Sequence, residues 1–257
     1  MRYLDGSAGD ADYGVLGMGY ARYRQPERRI AEPILRALAD ARTVLNVGAG
    51  AGSYEPTDRE VTAVEPSASM REQRPAHLSA AIDAVAESLP FPDNHFHAAM
   101  ASFTIHQWPD LAKGLSEMRR VTGGPVVILS CDPLLIERFW LSEYAPLVLG
   151  TEARRYPALD RVGTLLGGSI EIQPVPIPLD CRDGFCEAYY GRPEMFLEPG
   201  ARLACSAWSF VEPSVNEASI EHLRQDLADG SWDARYGHLR TQPEFDGSLR
   251  LLVARVP

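Results

Sequence analysis

A chain of 257 residues, 45% of them hydrophobic, is long enough to bury the core of one full-sized α/β domain, with or without a cap. Its formal charge of −10 repels phosphate backbones, and no apolar run approaches the roughly 20 residues that span a bilayer, so neither nucleic acid nor a membrane is an expected partner. Cys131, Cys181, Cys186 and Cys205 form no C-x-x-C pair and are too few for a disulfide framework; they read as reduced and buried, and the polar N-terminus lacks a signal-peptide pattern, so a cytoplasmic protein is expected.

In chain order, the first regular pattern follows Pro26, where Ile30, Ile34, Leu35 and Leu38 recur at helical spacing. Apolar runs then predict strands over 44–47, 61–64, 82–86, 98–103, 126–130, 170–177 and 249–256, most of them continuous, as in buried parallel strands. A helix is expected after Pro109-Asp110, from Leu111, Leu115 and Met118. Strand and helix alternate, which predicts a doubly wound sheet. The stretch from Cys181 to Phe245 breaks the alternation, with helix-like pieces and many aromatics but no strong strand. A single domain is expected, made of an N-terminal helical segment (1–42), a core sheet (43–178), a helical insertion or cap (179–246) and a last strand (247–257).

The glycine-rich turn "VLNVGAGAG" falls after the first strand, and ligands of open parallel sheets sit beyond such strand ends. A dinucleotide fingerprint, G-x-G-x-x-G, would need glycine where Ser53 stands; the spacing here is G-x-G-x-G. Only Ser53 to Glu60, with Pro56 among them, separates the turn from the next strand, leaving at most about one helical turn to present to a pyrophosphate. A cofactor without phosphates loses less, which counts against a nicotinamide-dependent oxidoreductase, the rival enzyme class. Glu65 ends the second strand, where a carboxylate can accept from both hydroxyls of a ribose. Further on, "AVAESLPFPDNHF" sets Ala86 and Glu87 where a small residue and a carboxylate can frame adenine over Leu89 and Phe91.

From Val44 to about Asp132 these residues resemble the class I S-adenosylmethionine-dependent methyltransferases, in particular the small-molecule group that includes quinone-biosynthesis enzymes. "VLNVGAGAG" matches the first motif, Glu65 the acidic strand end, "AESLPFPDNHFHAAM" the third motif, and "ASFTIHQWPD" the loop beside the methyl donor. Three departures stand out: Asn46 where an acidic residue is usual, a shortened first crossover, and His97 in place of the common Asp. The resemblance implies a Rossmann-like sheet, mostly parallel with an antiparallel last strand, plus helical cap elements. It also implies S-adenosylmethionine as cofactor and a small-molecule acceptor, in secondary metabolism or quinone-like chemistry. The expected cofactor residues are Gly48, Ala49, Gly50, Glu65, Pro66, Ala86, Glu87 and Ser102, with Tyr20 and Arg24 near the methionine carboxylate.

His106, in the loop after the fourth predicted strand, is the candidate general base; such a histidine either takes a proton from the acceptor or only packs and orients it. If it is the base at its ordinary pKa, the rate falls below about pH 6.5. Trp108, Trp140, Tyr189 and Tyr190 are candidate walls of an apolar substrate pocket. His95 and His97 have H-x-H spacing but no evident third ligand, so no metal is expected. A binding protein that keeps the cofactor fold without turnover is the remaining alternative.

Overall fold

A computed structural model describes residues 20–255. Its first long helix, α1 (Arg28–Ala37), starts where Glu27 accepts the Arg29 N–H and turns Ile30 and Ile34 into the core. Strands β1 (Thr43–Val47) and β2 (Glu60–Val64) follow, then a short helix α2 (Ala68–Glu72) capped by Ser67, then β3 (Ala98–Ser102). Helix α3 (Leu111–Val121) is capped by Asp110, whose carboxylate accepts from the Lys113 N–H at 3.0 Å. Beyond it lie β4 (Val126–Cys131), the helices α4 (Pro133–Ile136), α5 (Pro146–Arg155) and α6 (Leu159–Leu166), and β5 (Ser169–Pro174). A two-residue pair, β6 (Ile177–Pro178) and β7 (Glu244–Phe245), brackets the region of short helices and the longer α7 (Pro213–Asp229). Strand β8 (Leu249–Arg255) ends the described chain.

Among the described residues, six strands form the main sheet in the order β2-β1-β3-β4-β8-β5. The first four are parallel, and β8 runs antiparallel between β4 and β5. This is the expected α/β Rossmann-like sheet with an antiparallel last strand. Alternate residues of each strand face opposite layers, as the two-residue period requires. Val127, Leu129 and Cys131 of β4 join the core under α1 and the region of short helices, whereas Val126 and Ile128 join the core under α3 and α6.

Two predicted strands differ. Of 82–86, only Ile82 bridges to Val64, because the run lies outside β2 with Ile82 and Val85 about two-fifths exposed and Asp83 drawn outward to Arg71. The run 170–177 is divided between β5 and β6, since Pro174 and Pro176 lack the N–H that would continue a ladder.

The aromatic content of the C-terminal half is mostly core. Trp140 sits edge-on to Tyr144, Phe196 and Trp232, and its indole N–H donates to the Tyr190 carbonyl at 2.8 Å. Tyr190 stacks on Phe245, and Tyr189 meets Phe196 edge-on. Trp140→Ala should therefore cost about 3–5 kcal/mol of stability in urea unfolding, through the lost contacts and the cavity left behind. A loss below about 1 kcal/mol would move this side chain out of the packed core.

Candidate functional site

The carboxyl ends of β1, β2 and β3 meet at the glycine turn. Gly48 (φ +68°), Gly50 (φ +53°) and Gly52 (φ +95°) all take left-handed conformations that other residues adopt only with strain. The reasons for glycine differ along the turn. A Cβ on Gly48 would lie 2.1 Å from Thr104 Oγ1, so the loop after β3 forbids one there. At Gly50 a Cβ would meet only the flexible tip of Met70, at 3.3 Å, and the backbone conformation is the stricter demand. The N–H groups of Gly48 and Ala49 both donate to the Val64 carbonyl, at 3.0 and 2.9 Å, which closes the turn onto the end of β2.

Glu65 sits at that end. Its Oε2 accepts the Gly50 N–H and its Oε1 the Ser67 N–H, each at 2.8 Å, so the carboxylate is fixed and each oxygen retains a lone pair. Burial pushes its pKa up, against the two N–H bonds and the charges of Arg71 and Arg74. The Glu65 N–H donates to the Ile82 carbonyl at 3.0 Å, which draws the 82–87 segment alongside. There Ala86 is buried, and Glu87 accepts the Asp110 N–H at 3.1 Å at the start of α3. Pro66 is exposed on the rim, and Ser102 closes β3 opposite Leu129.

Residues 51–59 run through turns and bends straight to β2, with no helix among them, so no helix N-terminus is offered to phosphates at this turn. The residues present fit S-adenosylmethionine instead: an acceptor-only carboxylate for ribose hydroxyls, and a buried Asn46 Oδ1 with no hydrogen-bond partner, the kind of acceptor an ammonium would satisfy.

A second space opens beyond the ends of β3 and β4, between the sheet and the 185–206 region. It comprises about 690 Å³ of space between the atoms, part of it open to solvent. Phe103, Phe139, Tyr156 and Phe185 supply aromatic walls, and Arg24, His106, Glu152 and Glu187 the charged or titratable groups. Phe103 holds a left-handed backbone (φ +52°) at the head of the loop that carries Thr104, linking this cavity to the glycine turn. The His106 ring lies 4.2 Å from that of Tyr156, and its Nδ1 is buried without a hydrogen-bond partner. Burial first, then the charges of Arg155 and Arg24, hold His106 well below its ordinary pKa, so it is neutral at physiological pH.

Glu187 is buried too, accepting the Ser248 N–H and Oγ–H; burial raises its pKa to about 7. It binds a proton in the fold that the unfolded chain releases above about 4.5, so its contribution to stability is present below that value and lost as pH rises through 7. Glu152 Oε2 is buried and unpartnered among the described residues, and burial raises its pKa also.

Several predicted residues lie elsewhere. Trp108 packs on Gly114 in the core under α3, which also holds Ala86, away from the cavity, and Trp140, Tyr189 and Tyr190 belong to the aromatic core described above. Arg24 is ion-paired with Asp183, lies 5.2 Å from the Phe103 ring centre and lines the cavity. Tyr20 opens a one-turn helix, but its side chain lies outside the described residues. His97 Nδ1 lies 2.7 Å from Thr43 Oγ1, at the opposite end of β1 from the glycine turn. Glu152, Tyr156, Phe185 and Glu187 were not singled out from sequence. For Glu152 a signal existed: it follows Leu149 by three and precedes Tyr156 by four, an acid on an apolar helical stripe.

A methyltransferase-domain family model matches residues 45–128. Over 92 residues, 35% of this chain, the sequence is 33% identical to the ubiquinone/menaquinone biosynthesis C-methyltransferase UbiE of Escherichia coli; the match spans about a third of that relative's length, 34%. A methyltransferase candidate from an antibiotic biosynthesis pathway of Anabaena variabilis is 30% identical, with a TM-score of 0.84 over 91% of this chain and 99% of its own. The [4+2]-cyclase SpnF shares the fold at 16% identity, with a TM-score of 0.54 over 95% of this chain and 93% of its own. With a glycine turn joined to the carboxylate of Glu65, and a relative of that identity matched along almost its whole length, the chain belongs to the class I S-adenosylmethionine-dependent methyltransferases.

Proposed function

We propose that the protein transfers a methyl group from S-adenosylmethionine to a small molecule held in the aromatic cavity beyond β3 and β4. One observation carries the reading: the loop that touches Gly48 through Thr104 continues directly into Phe103 and His106 on the cavity wall, so cofactor turn and cavity share a boundary. The acidic net charge supports a small acceptor over nucleic acid, and no described helix is long and apolar enough to cross a membrane. A cytoplasmic setting, and chemistry of the secondary-metabolism or quinone type, belong to the same proposal.

When bound, S-adenosylmethionine supplies an electrophilic methyl group and leaves as a thioether. Glu65 binds the ribose hydroxyls with the lone pairs left by Gly50 and Ser67. Ala86 and Glu87 frame the base. The aromatic walls exclude water and orient the acceptor, which leaves alignment as the chain's main contribution to rate. His106, already neutral, holds at Nδ1 the proton that an O–H or N–H acceptor loses.

Glu65→Gln, which sets an amide NH2 against the Gly50 or the Ser67 N–H, should weaken binding of S-adenosylhomocysteine by about 1.5–3 kcal/mol and also lower the melting temperature of the ligand-free chain, with the sheet still folded. Unchanged affinity by calorimetric titration in the folded variant would put the ribose elsewhere.

The pH dependence differs from that of an ordinary histidine. Because His106 is held neutral well below 6.5, lowering the pH from 8 to 6.5 should leave single-turnover methyl transfer flat in a Glu187→Gln background, where the cavity carboxyl that titrates near 7 is gone, with the acid limb displaced to lower pH. His106→Ala should reduce turnover roughly 10²–10⁴-fold while leaving cofactor affinity near wild type. An acid limb centred near 6.5, or a variant within a few fold of wild type, would remove the general-base role.

A further inference from the structure

Asn46 stands on β1, two residues before Gly48, and its Nδ2 donates to Glu55 Oε1 at 3.0 Å. Glu55 comes from the crossover between β1 and β2. Its two oxygens also take Arg74, Nη1 on Oε1 and Nη2 on Oε2, each at 2.9 Å, in the bidentate geometry that makes such pairs strong. The side chains of this pair are only 3% and 1% exposed. Arg74 then spends its remaining donors on two carbonyls, Ser79 at 2.8 Å and, at a longer 3.4 Å, Gly50. The N–H of that same Gly50 holds Glu65. One connected path therefore runs from Asn46 through Glu55 and Arg74 to the glycine turn and the ribose carboxylate.

We propose that Glu55 is a positioning residue for the cofactor turn, and that it supplies from the shortened crossover the buried carboxylate that position 46 does not. Position 46 is then an amide for a physical reason. Glu55 already carries the negative charge that matches the single Arg74 fork, and the group 3.0 Å from its Oε1 has to donate. An acid at 46 would set a second carboxylate against the first in a buried site, where like charges at hydrogen-bond distance are strongly disfavoured. The missing helix and the missing acid, two separate departures in the sequence, become one feature: the crossover that lost its helix brings in Glu55, and Arg74 ties the crossover to the turn. This inference rests on the reading of the turn as the cofactor site.

The test is calorimetric titration of the full chain with S-adenosylhomocysteine, with thermal unfolding of each ligand-free variant alongside. Asn46→Asp should lower affinity about tenfold or more, as should Glu55→Gln, which leaves Arg74 without its counter-charge. The double variant Asn46→Asp/Glu55→Gln restores one acid and one amide across the same hydrogen bond and keeps Arg74 Nη2 on the oxygen that remains at position 55, at the loss of the Nη1 bond, and should recover part of the lost affinity and melting temperature. Rescue of binding in the double variant is the outcome that simple structural damage does not produce. Wild-type affinity in Asn46→Asp, or a double variant that binds no better than the weaker single one, overturns the inference. If Asn46→Asp fails to fold, the double variant must still fold and bind, and its failure is equally decisive. A wild-type chain that binds no S-adenosylhomocysteine would instead overturn the cofactor reading, and the inference with it.

Discussion

The length of the crossover between β1 and β2 is the constraint on which the cofactor end of this molecule depends. Twelve residues, 48–59, must leave one parallel strand, make a turn tight enough for Gly48, Gly50 and Gly52 to adopt positive φ, and return to the start of the next strand. A helix would normally do this while covering the sheet and satisfying its own backbone. Without one, the backbone is held by specific bonds: Gly48 and Ala49 to the Val64 carbonyl, Gly50 to Glu65, and the buried Glu55–Arg74 pair beneath. The same economy decides the ligand. A turn that ends in no helix has no dipole to set against a pyrophosphate, but its N–H groups still fix a carboxylate, which is what a ribose needs.

The two halves of the proposed reaction meet at Phe103 and Thr104. Thr104 occupies the space a Cβ on Gly48 would take, and the left-handed backbone of Phe103 turns the chain at that point. The ring of Phe103 lies between Tyr54, on the crossover, and Phe185, in the region of short helices, at centroid distances of 6.4 and 5.3 Å. Arg24, Asp183 and Tyr54 form a further link across the same boundary, with the Tyr54 hydroxyl donating to Asp183 at 2.7 Å. Electrostatics in the cavity follow from enclosure. Burial drives His106 toward its neutral form and raises the carboxyl pKa values of Glu152 and Glu187, so the groups lining the cavity carry less charge than their composition suggests.

Much of this was legible in the sequence because it depends on short-range pattern. Continuous apolar runs marked the buried strands, Asp110 marked the start of α3, and the spacing of Gly48, Gly50 and Glu65 marked the turn and its carboxylate. The edge run at 82–86 misled because hydrophobicity alone does not say whether a neighbour exists to cover both faces. The aromatic residues misled for the opposite reason: Trp140 and Tyr190 have the composition of a pocket wall, but they satisfy each other across 50 residues, which no local pattern reveals. Glu152 and Glu187 entered the cavity by the same long-range route. Glu187, for instance, depends on Ser248, 61 residues on. Asn46 was visible as an oddity, and its meaning appeared only once Glu55 stood beside it.

The central claim is that this turn holds an adenosyl group without phosphates. Parallel calorimetric titrations of the purified 257-residue chain with S-adenosylhomocysteine and with NAD test it most directly, since both offer adenosine and only one carries a pyrophosphate. Saturable binding of S-adenosylhomocysteine with no detectable heat from NAD is the predicted result. Binding of NAD with no response to S-adenosylhomocysteine would contradict the account.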